Sequence, residues 1–272
     1  MSQWLGERLG KQLVIENKTG GGGDIGTEAA IRSAPDGYTL FFVNPANAIN
    51  ALLYEKLPFN FIADMAPVGG VMRVPNVMEV TPSFPARTVA EFIAYAKAKP
   101  GKVNMASAGI GTSPHLSGEL FMSMTGVKLT HMPYRGNGPA VQDLIGGQVD
   151  VMFDTLPASI EHIRAGKLRA LAVTSEQPSE ALPDVPSIAA TVPGYEASAF
   201  FGIGTPKGTP DEIVAKLNTE INAVLADPRV QQRLAELGGF AIPGTAAEFG
   251  KTIADETEKW GKVVKASGAK VN

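Results

Sequence analysis

The sequence predicts an α/β fold of two domains. Short apolar runs alternate along the chain with segments of helical period, and the connections between them are short. This alternation is typical of parallel sheets with crossover helices. A length of 272 residues is also suited to two domains of about 100–150 residues each.

The composition excludes several classes of protein. Hydrophobic residues make up 44% of the chain and charged residues 19%, as in an ordinary globular protein. A net charge of −3 with scattered Lys and Arg argues against a nucleic-acid partner. No apolar run approaches the ~20 residues of a membrane helix. Because the chain has no cysteine, disulfides, thiolate metal sites and thiolate nucleophiles are excluded.

The first residues predict the end of an amphipathic helix. Trp4, Leu5 and Leu9 share one face, and Gly10 closes the helix. The opening MSQWLGERLG has neither the apolar core nor the cleavage site of a signal peptide. A domain that opens on the end of a helix leads us to expect further chain before Met1.

The remaining elements follow from apolar periodicity and from Pro, Gly and capping residues. Strands are predicted at 12–16, 37–43, 103–106, 127–134, 149–153, 168–174 and 199–205, with one or two more within 65–80. Helices are predicted at 27–33, 48–54 and 88–97, after Ser113, from Pro139, from Pro157, and after the capping residues Thr209, Asp227 and Thr245.

Three successive strand ends predict a binding cleft. Residues 107–114, 135–138 and 154–156 are small or polar, and a helix with proline in its first turn follows each. At the first of them, in VNMASAGIGTSPHLSGEL, we expect Ser113 to cap the helix and Pro114 to occupy its first position. Free N–H groups at a helix start favour an anion. Ligands of such sheets lie beyond the strand ends, so a carboxylate-binding cleft is predicted.

Other motifs are weaker or open to two interpretations. The run Gly21–Gly26 matches the dinucleotide pattern G-x-G-x-x-G, but residues 17–19 separate it from the strand, and no acidic residue ends the next strand. A flexible helix entry near a ligand is the preferred interpretation. Asp154, Asn44 and Asn47 each have two interpretations: a helix cap or structural hydrogen-bond acceptor, or a ligand contact. Arg135 either faces the cleft or points into solvent.

Several long phrases carry a resemblance to a known family. They are ENKTGGGGDIG, AAIRSAPDGYTLFF, HMPYRGNGPAVQDLIGGQVDVMFD, GKLRALAVTSEQPSEALPDVPSI and ADETEKWGKVVKASG. Together they resemble the Bug family of extracytoplasmic solute receptors, which serve tripartite tricarboxylate transporters in bacteria. The resemblance implies a two-lobed, type II-like periplasmic binding protein of the Venus flytrap kind, with a mainly parallel sheet flanked by helices in each lobe. Residues 1–102 and 199–272 would form a discontinuous first lobe lacking its first strand, and residues 103–198 the second.

The resemblance also implies a function. A receptor of this family captures a small organic carboxylate between its lobes, through backbone amides and hydroxyls rather than an arginine clamp, and delivers it to membrane permease subunits. It is located in the periplasm. A monomer without cofactor, metal or enzymatic activity is expected. The implied ligand-binding residues are Asn44, Pro45, Ser107, Gly109, Gly111, Thr112, Ser113, His115, Gly136, Gly138 and Asp154.

Two other functions remain open at this point. The glycine run and His115 would suit an enzyme acting on a small acid or a nucleotide. However, the titratable residues show no catalytic spacing. A ligand-sensing lobe that serves a regulatory partner is the other alternative, because fold analogy alone does not distinguish it from a transport receptor.

Overall fold

The computed structural model describes residues 1–53 and 57–267, with the backbone alone at 266 and 267. The helices are α1 (Ser2–Leu9), α2 (Asp24–Ile31), α3 (Pro45–Leu53), α4 (Phe61–Asp64), α5 (Val89–Ala98), α6 (Ser113–Thr125), α7 (Asn137–Ile145), α8 (Leu156–Arg164), α9 (Asp211–Leu225), α10 (Pro228–Glu236) and α11 (Ala246–Ser267). The strands are β1 (Phe41–Val43), β2 (Met65–Val80), β3 (Asn104–Ser107), β4 (Thr130–Pro133), β5 (Val151–Thr155), β6 (Arg169–Val173), β7 (Ser198–Pro206) and β8 (Phe240–Ala241). Tyr54, the predicted end of α3, lies outside the described residues.

One long strand, β2, belongs to two sheets. Its residues 65–75 pair with β7 and β8, and β7 pairs in turn with β1; we call this the first sheet. Its residues 76–80 pair with β5 and β6, and β3 lies between β5 and β4; this is the second sheet. The pairing therefore changes sheet between Pro75 and Asn76. The lobe boundaries predicted at 102/103 and 198/199 stay a prediction.

The predicted α/β class is confirmed, with mixed rather than mainly parallel sheets. The pairs β3–β4 and β3–β5 are parallel, as predicted from the alternation of strands with α6 and α7. Every pair that β2 makes is antiparallel. Because β2 enters the second sheet directly from the first, it runs opposite to β5 and needs no crossover helix.

The strand predicted at residues 12–16 is wrong. That segment has no regular secondary structure, and Val14 and Ile15 are 81% and 66% exposed. The strand predicted at 37–43 is shortened to the three residues of β1. An apolar run of high β-propensity becomes a strand only where a neighbouring strand takes up its hydrogen bonds, and none in the described part of the chain pairs with residues 12–16.

Helix starts follow the predicted caps at Thr88, Asp227 and Thr245, and Asp227 accepts the Arg229 N–H at the start of α10. The Thr88 hydroxyl accepts the Glu91 N–H at the start of α5. At α11, Thr245 accepts the Glu248 N–H while the Glu248 carboxylate accepts the Thr245 N–H, a reciprocal capping box. The Thr209 prediction is wrong, because its hydroxyl donates to the Pro206 carbonyl and Pro210 takes the cap position.

The hydrophobic core lies between each sheet and the helices that pack on it. Phe92 of α5, Phe121 of α6 and Phe153 of β5 are fully buried beside the second sheet, and the Phe121 ring contacts Phe92 edge-on and Phe153 at a tilt. Trp260 of α11 joins the same cluster. Helix α9 buries Leu217 and Ile221 against the first sheet. None of the helices within residues 1–53 and 57–267 is both long enough and apolar enough to span a membrane.

Candidate ligand-binding cleft

A cleft of about 350 Å³ opens where the strand ends of the two sheets face each other. The end of β1, the middle of β7 and the glycine run before α2 form one side. The ends of β3, β4 and β5 form the other. The lining residues are Lys18, Thr19, Gly20, Gly21, Gly22, Gly23, Phe42, Asn44, Pro45, Ala46, Ala108, Thr112, Ser113, Pro114, Tyr134, Arg135, Gly136, Asn137, Thr155 and Phe201.

The first turn of α6 borders this cleft. The helix begins at Ser113, and Thr112, not Ser113 as predicted, occupies the cap position. The Thr112 hydroxyl donates to the Gly109 carbonyl (2.6 Å), so no side chain caps the helix. Without a side-chain acceptor, the amides of the first turn are available to an anion in the cleft.

Helices α7 and α8 begin at the same cleft. Their cap residues are Gly136 and Thr155, and neither helix has a side-chain cap. Gly136 has φ +116°, a backbone conformation that residues with a Cβ rarely adopt. Three uncapped helix starts therefore surround one volume, and their dipoles make it favourable for negative charge.

Asn76, the residue of β2 at which the second sheet begins, holds the side chain of Ser113. Asn76 Nδ2 lies 2.9 Å from Ser113 Oγ, 2.9 Å from Ser117 Oγ and 3.1 Å from the Phe153 carbonyl oxygen, and its two N–H donors are shared among these three acceptors. All of these groups are buried. The physical reason that Ser113 does not cap α6 is that its hydroxyl lies inside this network.

Two histidines brace the loop that precedes α6. Ser107 Oγ lies 2.6 Å from His131 Nε2 and accepts the Gly109 N–H (3.2 Å). The His115 ring stacks on His131, with centroids 4.1 Å apart, and its Nδ1 accepts the Gly111 N–H. Burial, and the neighbouring His115, lower the pKa of His131 to about 3, so this ring stays neutral. Both histidines support the loop.

The glycine run packs directly on that loop. Gly22 has φ +62°, and a Cβ there would lie 2.5 Å from the Ile110 carbonyl oxygen. Gly111 has φ +80°, and a Cβ there would overlap Asn50 Oδ1. Only glycine permits this close backbone approach. The contact closes one side of the cleft.

The other side of the cleft ends at a buried acid pair. Ser159 Oγ lies 2.7 Å from Glu79 Oε1 and 2.8 Å from Asp154 Oδ2, and both acids are fully buried. Asp154 Oδ1 also accepts the Thr155 N–H (2.8 Å) and the amide of Asn137, a cleft residue. Burial raises the pKa of Asp154 to about 7. Burial first, and then the Asp154 charge, raise the pKa of Glu79 well above its ordinary value.

The structure brings five of the predicted binding residues to the cleft wall: Asn44, Pro45, Thr112, Ser113 and Gly136. The remaining six are not among its lining residues; they are Ser107, Gly109, Gly111, His115, Gly138 and Asp154. Asp154 reaches the cleft only through Asn137. Asn47 is buried as well, and its side chain accepts the Asn44 N–H (2.8 Å). The binding role of each residue stays a prediction.

The sequence left the position of one lining residue undecided and did not indicate two others. Arg135, whose direction was open, lines the cleft, and it makes no ion pair with any residue the structure describes. Phe42 and Phe201 were not singled out. Their rings stack with centroids 5.3 Å apart and planes 12° apart. An apolar side chain two residues before the strand-end Asn44 was the available signal for Phe42.

These features define a class of protein before any comparison. A cleft between the strand ends of two α/β sheets, bordered by uncapped helix starts, is the arrangement of a solute-binding protein. Among residues 1–53 and 57–267, no group of three or more His, Asp or Glu side chains is placed to hold a metal ion. The chain belongs to the tripartite tricarboxylate transporter receptor family, whose model, "Tripartite tricarboxylate transporter family receptor", matches residues 1–269.

Solved structures agree with this assignment. The chain is similar to R. palustris Rpa4515, solved with adipate, at 38% identity and a TM-score of 0.96, over 98% of this chain and 90% of that one. It is similar to the periplasmic binding protein BugD at 33% identity and a TM-score of 0.94, over 99% and 91%. Similarity to MatC from Rhodopseudomonas palustris, solved with malate, is 30% with a TM-score of 0.91, over 97% and 91%.

The comparisons confirm two of the predictions made from the resemblance. The chain has the periplasmic binding protein fold of Bug proteins, and it is a solute receptor of the tripartite tricarboxylate transporter family. That family is one of transporter receptors and not of enzymes.

Proposed function

We propose that this receptor captures a small organic carboxylate in the cleft and delivers it to the permease subunits of a tripartite transporter. The observation that carries the proposal is the meeting of three helix starts without side-chain caps, those of α6, α7 and α8. Their amides, with the hydroxyl of Thr155, offer a carboxylate several donors at once.

The charge of the cleft wall supports an anionic ligand. Among the described residues that line the cleft, Lys18 and Arg135 are charged, and none is an Asp or a Glu. Lys18 forms an exposed pair with Glu16 (3.1 Å), which a ligand can replace at little cost. Arg135 offers a planar pair of donors suited to a carboxylate.

Isothermal titration with di- and tricarboxylates, aromatic acids and acidic amino acids tests this proposal. We expect at least one acid to bind, and Arg135→Ala to weaken it about tenfold or more, as for a hydrogen bond to a charged group. Arg87→Ala is the matched control, because it removes an exposed arginine outside the cleft lining. The affinity of this variant for the acid should stay within twofold of the wild-type value. If no acid in the panel binds, the carboxylate proposal fails.

The cellular setting is part of the same proposal. We place the receptor in the periplasm, with support from the likeness to BugD, a periplasmic binding protein, and we expect it to be a monomer. Light scattering on the purified chain checks the monomer. Uptake of the bound acid by cells with and without the receptor gene checks delivery, and equal uptake by both would contradict it.

A further inference from the structure

The cleft has an apolar wall that a carboxylate alone does not explain. Phe42 of β1 and Phe201 of β7 stack there in a nearly parallel pair. In the β1–β7 register Phe42 lies opposite Ile203, so Phe201 is its diagonal neighbour on the same face of the first sheet. The sheet pairing itself therefore holds both rings in place.

Phe42 leaves a large part of its ring uncovered. It is 52% exposed, although its partner ring already covers one side. Exposed aromatic rings grouped in a concave site are a frequent sign of a ligand surface. Further apolar groups, Pro45, Ala46 and Pro114, also line the cleft.

The stacked rings and the uncapped helix starts occupy different parts of the cleft. Phe42 and Phe201 come from the first sheet, whereas the uncapped helix starts and Arg135 come from the second. A ligand that fills the space between them meets donors at one end and rings along its body. A hydroxyl on that body would exchange water for an apolar ring and lose its hydrogen bonds.

We infer that the ligand is a carboxylic acid with an apolar body, either an aromatic ring or an unsubstituted methylene chain, and that Phe42 and Phe201 select it over hydroxylated acids. This inference rests on the proposed carboxylate function. Covering about 50 Å² of exposed ring corresponds to roughly tenfold in affinity, and ring stacking adds to this for aromatic acids.

Titration of benzoate, adipate, malate and citrate into the wild-type chain and into Phe42→Ser tests the selection. We expect benzoate or adipate to bind the wild type at least tenfold more tightly than malate or citrate. The Phe42→Ser variant should lose about tenfold for that acid and less than twofold for malate. Tyr38→Ser is the matched control, since it removes an 85% exposed ring outside the cleft lining and should change no affinity.

The outcomes separate this inference from the function on which it rests. If none of the acids binds, the carboxylate function itself fails. If malate or citrate binds as tightly as benzoate and adipate, or if Phe42→Ser weakens all acids equally, the selection is overturned while the carboxylate function stands. A second variant, Phe201→Leu, keeps an apolar side chain at a partly buried position but removes the ring, and it should reproduce the selective loss.

Discussion

Glu79→Gln tests whether the receptor buries a proton beside its cleft. The Ser159 hydroxyl lies within hydrogen-bond distance of both Glu79 and Asp154, but it carries one proton and donates to one of them only. Asp154 receives further donors from Thr155 and Asn137, whereas Glu79 Oε2 has no partner in the described part of the chain. We therefore assign the proton to Glu79, which donates to Ser159, while Ser159 donates to Asp154.

The pH dependence of stability follows from this proton. In the unfolded chain the pKa of Glu79 is about 4.3, whereas in the folded protein burial and Asp154 hold its pKa well above that value. From about pH 5 up to the raised pKa of Glu79 the folded state thus binds one more proton there, and the free energy of unfolding falls as pH rises, by about 1.4 kcal/mol per unit. Glutamine binds no proton in either state, so Glu79→Gln removes this slope.

Urea unfolding at pH 5, 6, 7 and 8, followed by tryptophan fluorescence, measures the effect. We expect the stability of Glu79→Gln relative to wild type to rise with pH, by about 1.4 kcal/mol per pH unit over the range in which folded Glu79 keeps its proton. Asp154 and all other groups are present in both proteins, so their titration largely cancels in the difference. Glu161→Gln, at an exposed position of α8, is the control and should give a flat difference. A flat difference for Glu79→Gln would refute the buried proton.

Two further predictions concern the cleft and the fold. Gly22→Ala should weaken the binding of the tightest acid by tenfold or more in titration calorimetry, because its Cβ meets the Ile110 carbonyl oxygen. The control Gly101→Ala also adds a Cβ at a positive φ, +69° against +62° at Gly22, but with open space around it. It should leave the affinity unchanged. Thr245→Ala should lower the free energy of unfolding by about 1 kcal/mol in urea titration, because α11 loses its side-chain cap.

Each of these has a result that would contradict it. Equal losses of affinity in Gly22→Ala and Gly101→Ala would mean that backbone strain, and not the contact with the loop, causes the effect. For the cap, Thr219→Ala removes a threonine from the middle of α9 whose hydroxyl donates to a helix carbonyl. If that variant is destabilised as much as Thr245→Ala, the capping argument is wrong.

The position of the cleft could be predicted from the sequence because it depends on local order. A strand, a turn of small residues and a helix with proline in its first turn recur three times, and parallel strands bring their carboxyl ends to one edge. Thr112, Ser113 and Gly136 reach the cleft wall for that reason. The helix caps at Thr88 and Thr245 are local in the same sense, since each involves residues three apart.

Other features depend on contacts between distant parts of the chain. Phe42 and Phe201 meet only through the β1–β7 pairing, and a phenylalanine in either strand alone is an ordinary apolar residue. Glu79 resembles a solvent-facing charge in its strand until β5 and α8 cover it. Residues 12–16 have the composition of a strand, but composition does not say whether a neighbour is present to pair with them.

Thr174 links the two places where the chain passes between the sheets. Its hydroxyl accepts the Asn76 N–H (2.7 Å) and lies 2.9 Å from the Asn76 carbonyl and 2.5 Å from that of Ala197, just before β7. Because Thr174 contacts both segments, a rotation of one sheet against the other would change the backbone of β2 at Asn76 and of the chain at Ala197 together. A ligand that draws the helix starts toward Phe42 would thus bend the chain at this joint, and the strand pairs within each sheet would stay intact.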